Sequence, residues 1–103
     1  MRLGTVIGRV TLSRVIPELE GGRWLIVSPA NRETFPRADG TPATPIVSKE
    51  PSLVVYDNLG GGVGDVIGFV EGREAAQPLE PVAAIDAVNA ALIDRVFYQP
   101  GPA

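Results

Sequence analysis

The chain has 103 residues, a net charge of −3 and a hydrophobic fraction of 45%, which suits one domain around one modest core. It has no cysteine and no histidine, which excludes disulfides, the usual structural zinc sites, and cysteine or Ser-His-Asp catalysis. Its nine Lys and Arg residues are scattered from Arg2 to Arg95 without a basic stripe, which disfavours nucleic-acid binding by phosphate neutralisation.

No run approaches the ~20 apolar residues of a membrane span. The opening MRLGTVIGRV has no apolar h-region or small-residue cleavage site, so it does not read as a signal peptide. A cytoplasmic protein with no membrane partner is expected.

Residues 2–15, RLGTVIGRVTLSRV, predict a long first strand. Val6, Val10 and Leu12 share one face with Gly4 and Gly8, and Thr5, Arg9, Thr11 and Ser13 fall mostly on the other. The glycines allow the bend that a small barrel requires. Pro17 ends the strand, and Glu18–Gly22 is a turn. Arg23–Ser28, RWLIVS, predicts a strand buried on both faces, closed by Pro29. Residues 30–45 carry Pro36, Gly40, Pro42 and Pro45 and read as a loop, long for so small a domain. Ile46–Val47 and Leu53–Tyr56 predict strands around a kink at Glu50-Pro51, and Asp65–Glu71 another.

Between the last two lies the most informative stretch, YDNLGGGVGDVIG (residues 56–68). Gly60, Gly61, Gly62 and Gly64 surround Val63 in five positions, which calls for positive φ or a close approach to another chain. A phosphate cradle is one reading of such a loop. The fingerprints fail: Asp65 occupies the third glycine site of G-x-G-x-x-G, no Gly-Lys-Ser/Thr is present, and the adjoining DVIGFVEG reads as a strand rather than a helix. A tight strand-to-strand turn is the plainer reading. Asp57 and Asp65 flank it, each either bonded to its own turn or an interface anchor.

Arg73–Ala76 could begin a helical turn before Pro78 and Pro81. Over residues 82–96, VAAIDAVNAALIDRV, apolar residues recur at helical spacing. This is one helix, or a shorter helix capped by Asp86 followed by a strand over Leu92–Phe97; the split is favoured. Residues 1–98 form one domain, and Gln99–Ala103 is a flexible tail. The fold expected is mainly β: a small OB-like barrel of five to six strands with one short α-helix.

The chain resembles the EutN/CcmL family, pentameric vertex proteins of bacterial microcompartments, including carboxysomes, over nearly its whole length. Val6-Ile7-Gly8, Pro17-Glu18-Leu19-Glu20-Gly21 and Leu25-Ile26-Val27 look like the family's first hairpin. The centre matches its D-x-x-G-A-G-x-G-E motif through Asp57, Gly60, Gly62 and Gly64, with Gly61 in place of Ala and Asp65 in place of Glu. IDAVNAALIDRV places Asp86 and Asp94 at the family's two aspartates. Gly72-Arg73-Glu74-Ala75-Ala76 stands at its G-S-x-A-R element, without that Ser and final Arg.

The resemblance implies a non-catalytic structural protein without cofactor or metal. It implies a homopentamer that closes the five-fold corners of a shell built with hexameric and trimeric shell proteins. It also implies that Gly60, Gly61, Gly62, Val63 and Gly64 lie at the subunit interface or axial opening, with Asp57 and Asp65 as turn or interface anchors. Two other classes compete. One is an OB-like binding module for nucleic acid or a small ligand. The other is an enzyme in which Asp57 and Asp65 converge as a carboxylate pair.

Overall fold

The β-branched runs close on themselves. The computed structural model describes residues 1–32, 34, 35, 47–79 and 84–97. Strands β1 (Arg2–Val10), β2 (Arg23–Pro29), β3 (Leu53–Asp57), β4 (Val66–Glu71) and β5 (Ala87–Leu92) form a closed barrel in the order β1-β2-β3-β5-β4. All neighbours are antiparallel except β3 and β5, which run parallel through the pair Tyr56–Val88. Closure gives every strand a neighbour on both sides.

Inward residues fill the barrel: Val6, Leu25, Val27, Val55, Ile67, Phe69 and Ala87 form its core. The outer face of the wall has its own cover. Tyr56 follows the core residue Val55 and so points outward, where it packs with Leu19, Ala75 and Val88. Leu19 comes from a 3-10 turn at Pro17–Leu19 and Ala75 from a second at Gly72–Ala76. Trp24 meets the Tyr56 ring edge-on, with centroids 5.2 Å apart and planes at 69°, a favoured aromatic geometry.

Two bulges shape the cylinder. Ile7 is the extra residue between the pairs Val6–Val27 and Gly8–Ile26, and Ala90 is the extra residue opposite the Gly68–Phe69 step. Bulges of this kind sharpen the local twist and let a short strand turn a barrel corner. The first falls beside Gly8, where the sequence places a bend.

Several boundaries differ from the sequence reading. β1 stops at Val10 rather than residue 15, and Val15 packs instead against the outer cluster of Leu19 and Tyr56. β2 is buried at Leu25 and Val27–Pro29 but only half-buried at Trp24 and Ile26, so it is not dry on both faces. Val47 lies in a bend, not a strand. The return into the barrel is clipped instead by Ser48, whose N–H donates to Ser28 Oγ at 3.0 Å and whose hydroxyl donates to the Pro29 carbonyl at 2.6 Å. Ile46, most of the proline-rich loop and Gln99–Ala103 lie outside the described residues.

The largest correction concerns the end of the chain. Among the described residues there is no α-helix: the expected helix capped by Asp86 and the strand at Leu92–Phe97 are replaced by β5 at Ala87–Leu92. The alanines favour a helix locally. However, β3 and β4 each present an unpaired ladder to the gap between them, and strand pairing there outweighs local propensity.

Gly22 sets a sharp packing condition. A Cβ at this position would overlap the Tyr56 ring. Gly22→Ala is therefore expected to lower stability by about 1–3 kcal/mol, the usual cost of overpacking, read as an earlier urea midpoint with an unchanged slope.

Candidate functional site

The C-terminal end of β3 and the N-terminal end of β4 lie at the same mouth of the barrel, with β5 between them. The glycine loop must therefore cross that mouth. It is a strand-to-strand connection, as the sequence suggests, but it joins strands that do not pair with each other.

Asp57 organises the crossing. Its carboxylate is fully buried. Oδ1 accepts the Leu59 N–H at 2.9 Å and the Asn89 Nδ2–H at 2.9 Å; Oδ2 accepts the N–H groups of Gly60 at 3.2 Å and Gly61 at 2.9 Å. No described residue pairs with it as a cation. Backbone and amide dipoles alone hold the charge. Charge-assisted bonds of this kind are stronger than neutral ones, and together they offset much of the cost of burying an ion.

The far side of the loop is fixed as firmly. Asp65 lies exposed and accepts the Gly62 N–H at 2.8 Å, while its own N–H donates to the Gly62 carbonyl at 3.0 Å. Gly64 N–H donates to the Val6 carbonyl at 2.8 Å, and Val6 N–H to the Asp65 carbonyl at 2.9 Å, which ties the loop to the bulged part of β1. The glycines serve different ends. Gly60 and Gly64 adopt φ of +88° and +95°. Gly61 is a close approach, because a Cβ there would sit 3.0 Å from Leu25 Cδ1 and 3.3 Å from Asn89 Nδ2. Gly62 meets neither demand: its nearest neighbour would be Asp65 Oδ2 at 3.8 Å.

This geometry engages most of the loop's backbone donors within the protomer. It is an anion nest whose anion is the chain's own Asp57, so the donors that could cradle a phosphate are already engaged. Within the protomer Asp57 and Asp65 each accept backbone N–H groups of their own loop. With both Asp57 oxygens saturated and sealed from solvent, the pair does not offer the acid and base of a glycosidase. Among the described residues no group of His, Cys, Asp or Glu is arranged to hold a metal.

At the loop tip Val63 is 70% exposed. Beside it a groove of about 350 Å³ is lined by Gly8, Arg9, Thr11, Arg23, Leu25, Gly62 and Val63. Sequence reasoning missed Asn89, which it placed in a helix, and gave no weight to Arg9 and Arg23. A single polar residue in the run Ala87–Leu92 was the available sign for Asn89; the arginines left no sign, because only barrel closure brings them together.

The sequence matches the EutN_CcmL family, described as ethanolamine utilisation protein EutN/carboxysome, over residues 1–94. The chain belongs to this family. Among solved structures it is similar to the GrpN pentameric microcompartment shell protein from Rhodospirillum rubrum, with 27% identity and a TM-score of 0.67 across 93% of this chain and 96% of that one. Gloeobacter violaceus CcmL matches with 26% identity and a TM-score of 0.69 across 93% and 88% of the two chains. The ethanolamine utilization protein EutN from Escherichia coli shares the fold, with 23% identity and a TM-score of 0.71 over 93% and 87%. No curated protein matches the chain. The EutN/CcmL motif around Asp57 thus coincides with the loop that closes the barrel mouth.

Asp57→Ala would strand Asn89 and three loop N–H groups without an acceptor. The expected loss is about 3–5 kcal/mol, whereas Asp65→Ala, at the exposed turn, should cost about 0.5–1.5 kcal/mol. Guanidinium unfolding of both variants checks the ranking; equal midpoints would contradict the role given to Asp57.

Proposed function

We propose that this chain is the structural subunit of a homopentamer that caps the five-fold vertices of a bacterial microcompartment shell in the cytoplasm. It would do so beside hexameric and trimeric shell proteins, without catalysis or a cofactor. The observation that carries this reading is the likeness to GrpN, a pentameric shell protein, over 93% of this chain and 96% of that one. The chain's chemistry agrees with it. The barrel interior is filled with side chains, five loop N–H groups are engaged internally, and the chain is acidic overall at −3.

A cyclic pentamer needs two different patches that meet repeatedly around an axis. The glycine loop suits such a contact because it is rigid before association, so little ordering entropy remains to be lost on binding. Val63 at its tip is a large apolar side chain left uncovered by the protomer. In this reading Gly60–Gly64 lie at the subunit contact or axial opening. Asp57 and Asp65 support the contact from within rather than touching the neighbour.

Native mass spectrometry tests the assembly: the expected dominant species has five times the 10.8 kDa chain mass, and a monomer at all concentrations would refute it. Gly62→Val tests the loop separately. A Cβ there meets nothing closer than Asp65 Oδ2 at 3.8 Å, and Gly62 is not at positive φ, so β-sheet circular dichroism should persist while the pentamer is lost. Retention of the pentamer in this variant would remove the loop from the interface and leave the pentamer standing.

A further inference from the structure

Arg9 and Arg23 occupy an unusual place. Arg9 is paired in register with Leu25, and Arg23 with Asp57. Leu25 and Asp57 are both buried toward the barrel axis, and antiparallel partners share a face, so both arginines sit on the inward face at the barrel mouth. Neither makes an ion pair among the described residues; the single ion pair there is Arg2–Glu71, at 2.8 Å and at the opposite end of the barrel. Asp57 cannot serve Arg23, because four hydrogen bonds already saturate it. Arg9 and Arg23 therefore line one groove with the exposed Val63, in a chain with an excess of carboxylates.

The other flank of the loop carries the complement. β5 ends at the same mouth with Leu92, 47% exposed, and the chain continues to the exposed Asp94, which has no cationic partner among the described residues. The β1–β2 groove and the β5 end are distinct patches at one level of the barrel, separated by the glycine loop. A head-to-tail ring joins two such patches.

We infer that the Arg9–Arg23 groove receives the Leu92–Asp94 edge of the adjacent copy, placing the Asp94 carboxylate against the guanidinium groups and Leu92 against Val63. Arg is suited to this contact because its planar fork meets a carboxylate with two bonds and sheds water more readily than Lys. The charge pair fixes the register of neighbouring subunits, and the apolar pair excludes water from it.

The inference rests on the pentameric reading, and a charge-reversal series separates the two. Native mass spectrometry across a dilution series would compare the wild-type chain, Arg23→Glu, Asp94→Arg and the combined variant. Each single reversal should raise the concentration for half-assembly by at least about tenfold, and the combined variant should recover most of that loss, which also shows that the single variants fail by charge rather than by misfolding. Assembly unchanged by Arg23→Glu, or no recovery in the combined variant, would overturn the contact while leaving the pentamer intact. Unchanged assembly together with loss of inorganic phosphate binding would reassign the groove to a small anion. A wild-type chain that never assembles would overturn both readings.

Discussion

A buried carboxylate with no cationic partner among the described residues is the constraint around which this small barrel is arranged. Asp57 sits at the last position of β3, and the bonds it accepts join that strand to two other parts of the barrel. Three come from the loop that must cross the barrel mouth, and the fourth from Asn89 in β5, the strand that completes the wall. Leaving such a charge unsatisfied would cost several kcal/mol. The network is therefore close to all-or-none: the loop takes this path, with β5 in this register, or the charge is stranded.

That coupling explains which parts of the fold were legible in the sequence. The β-branched runs of β1 to β4 announce themselves by composition, and the glycines with Asp57 announce a junction. β5 did not announce itself. Its alanines carry a helical preference, and its pairing partners, such as Tyr56 for Val88 and Ile67 for Leu92, lie far outside its own segment, so only the closed topology makes a strand the lower-energy choice. The same locality fixed the error at β1: nothing in Thr11–Val15 reveals that Val15 leaves the wall to pack against the cluster around Tyr56.

The site was legible to the same degree and for the same reason. Asp57, Gly60, Gly61 and Gly64 are each held by steric or hydrogen-bonding demands, most of them within a few residues, and such demands leave a mark on residue type. Gly62 carries the mark without the demand, since the protomer leaves space around it. Asn89 and the two arginines act across the barrel, where sequence spacing says nothing about distance. Gly62 is accordingly the loop glycine whose identity the isolated protomer does not explain, and it lies on the groove beside Val63.

A loop that satisfies its own donors has a consequence for association. Polar backbone groups at a protein surface normally keep bound water that must be displaced or rematched when a partner arrives. Here the N–H groups of Leu59, Gly60, Gly61, Gly62 and Gly64 are already matched inside the protomer. What the loop tip presents outward is chiefly the apolar Val63 side chain on a backbone whose conformation is already set. Burying it demands little desolvation of polar groups and little loss of conformational freedom. For a chain of 103 residues, whose own core is modest, a preformed apolar contact flanked by opposite charges would give both stability and register to the proposed ring of identical copies.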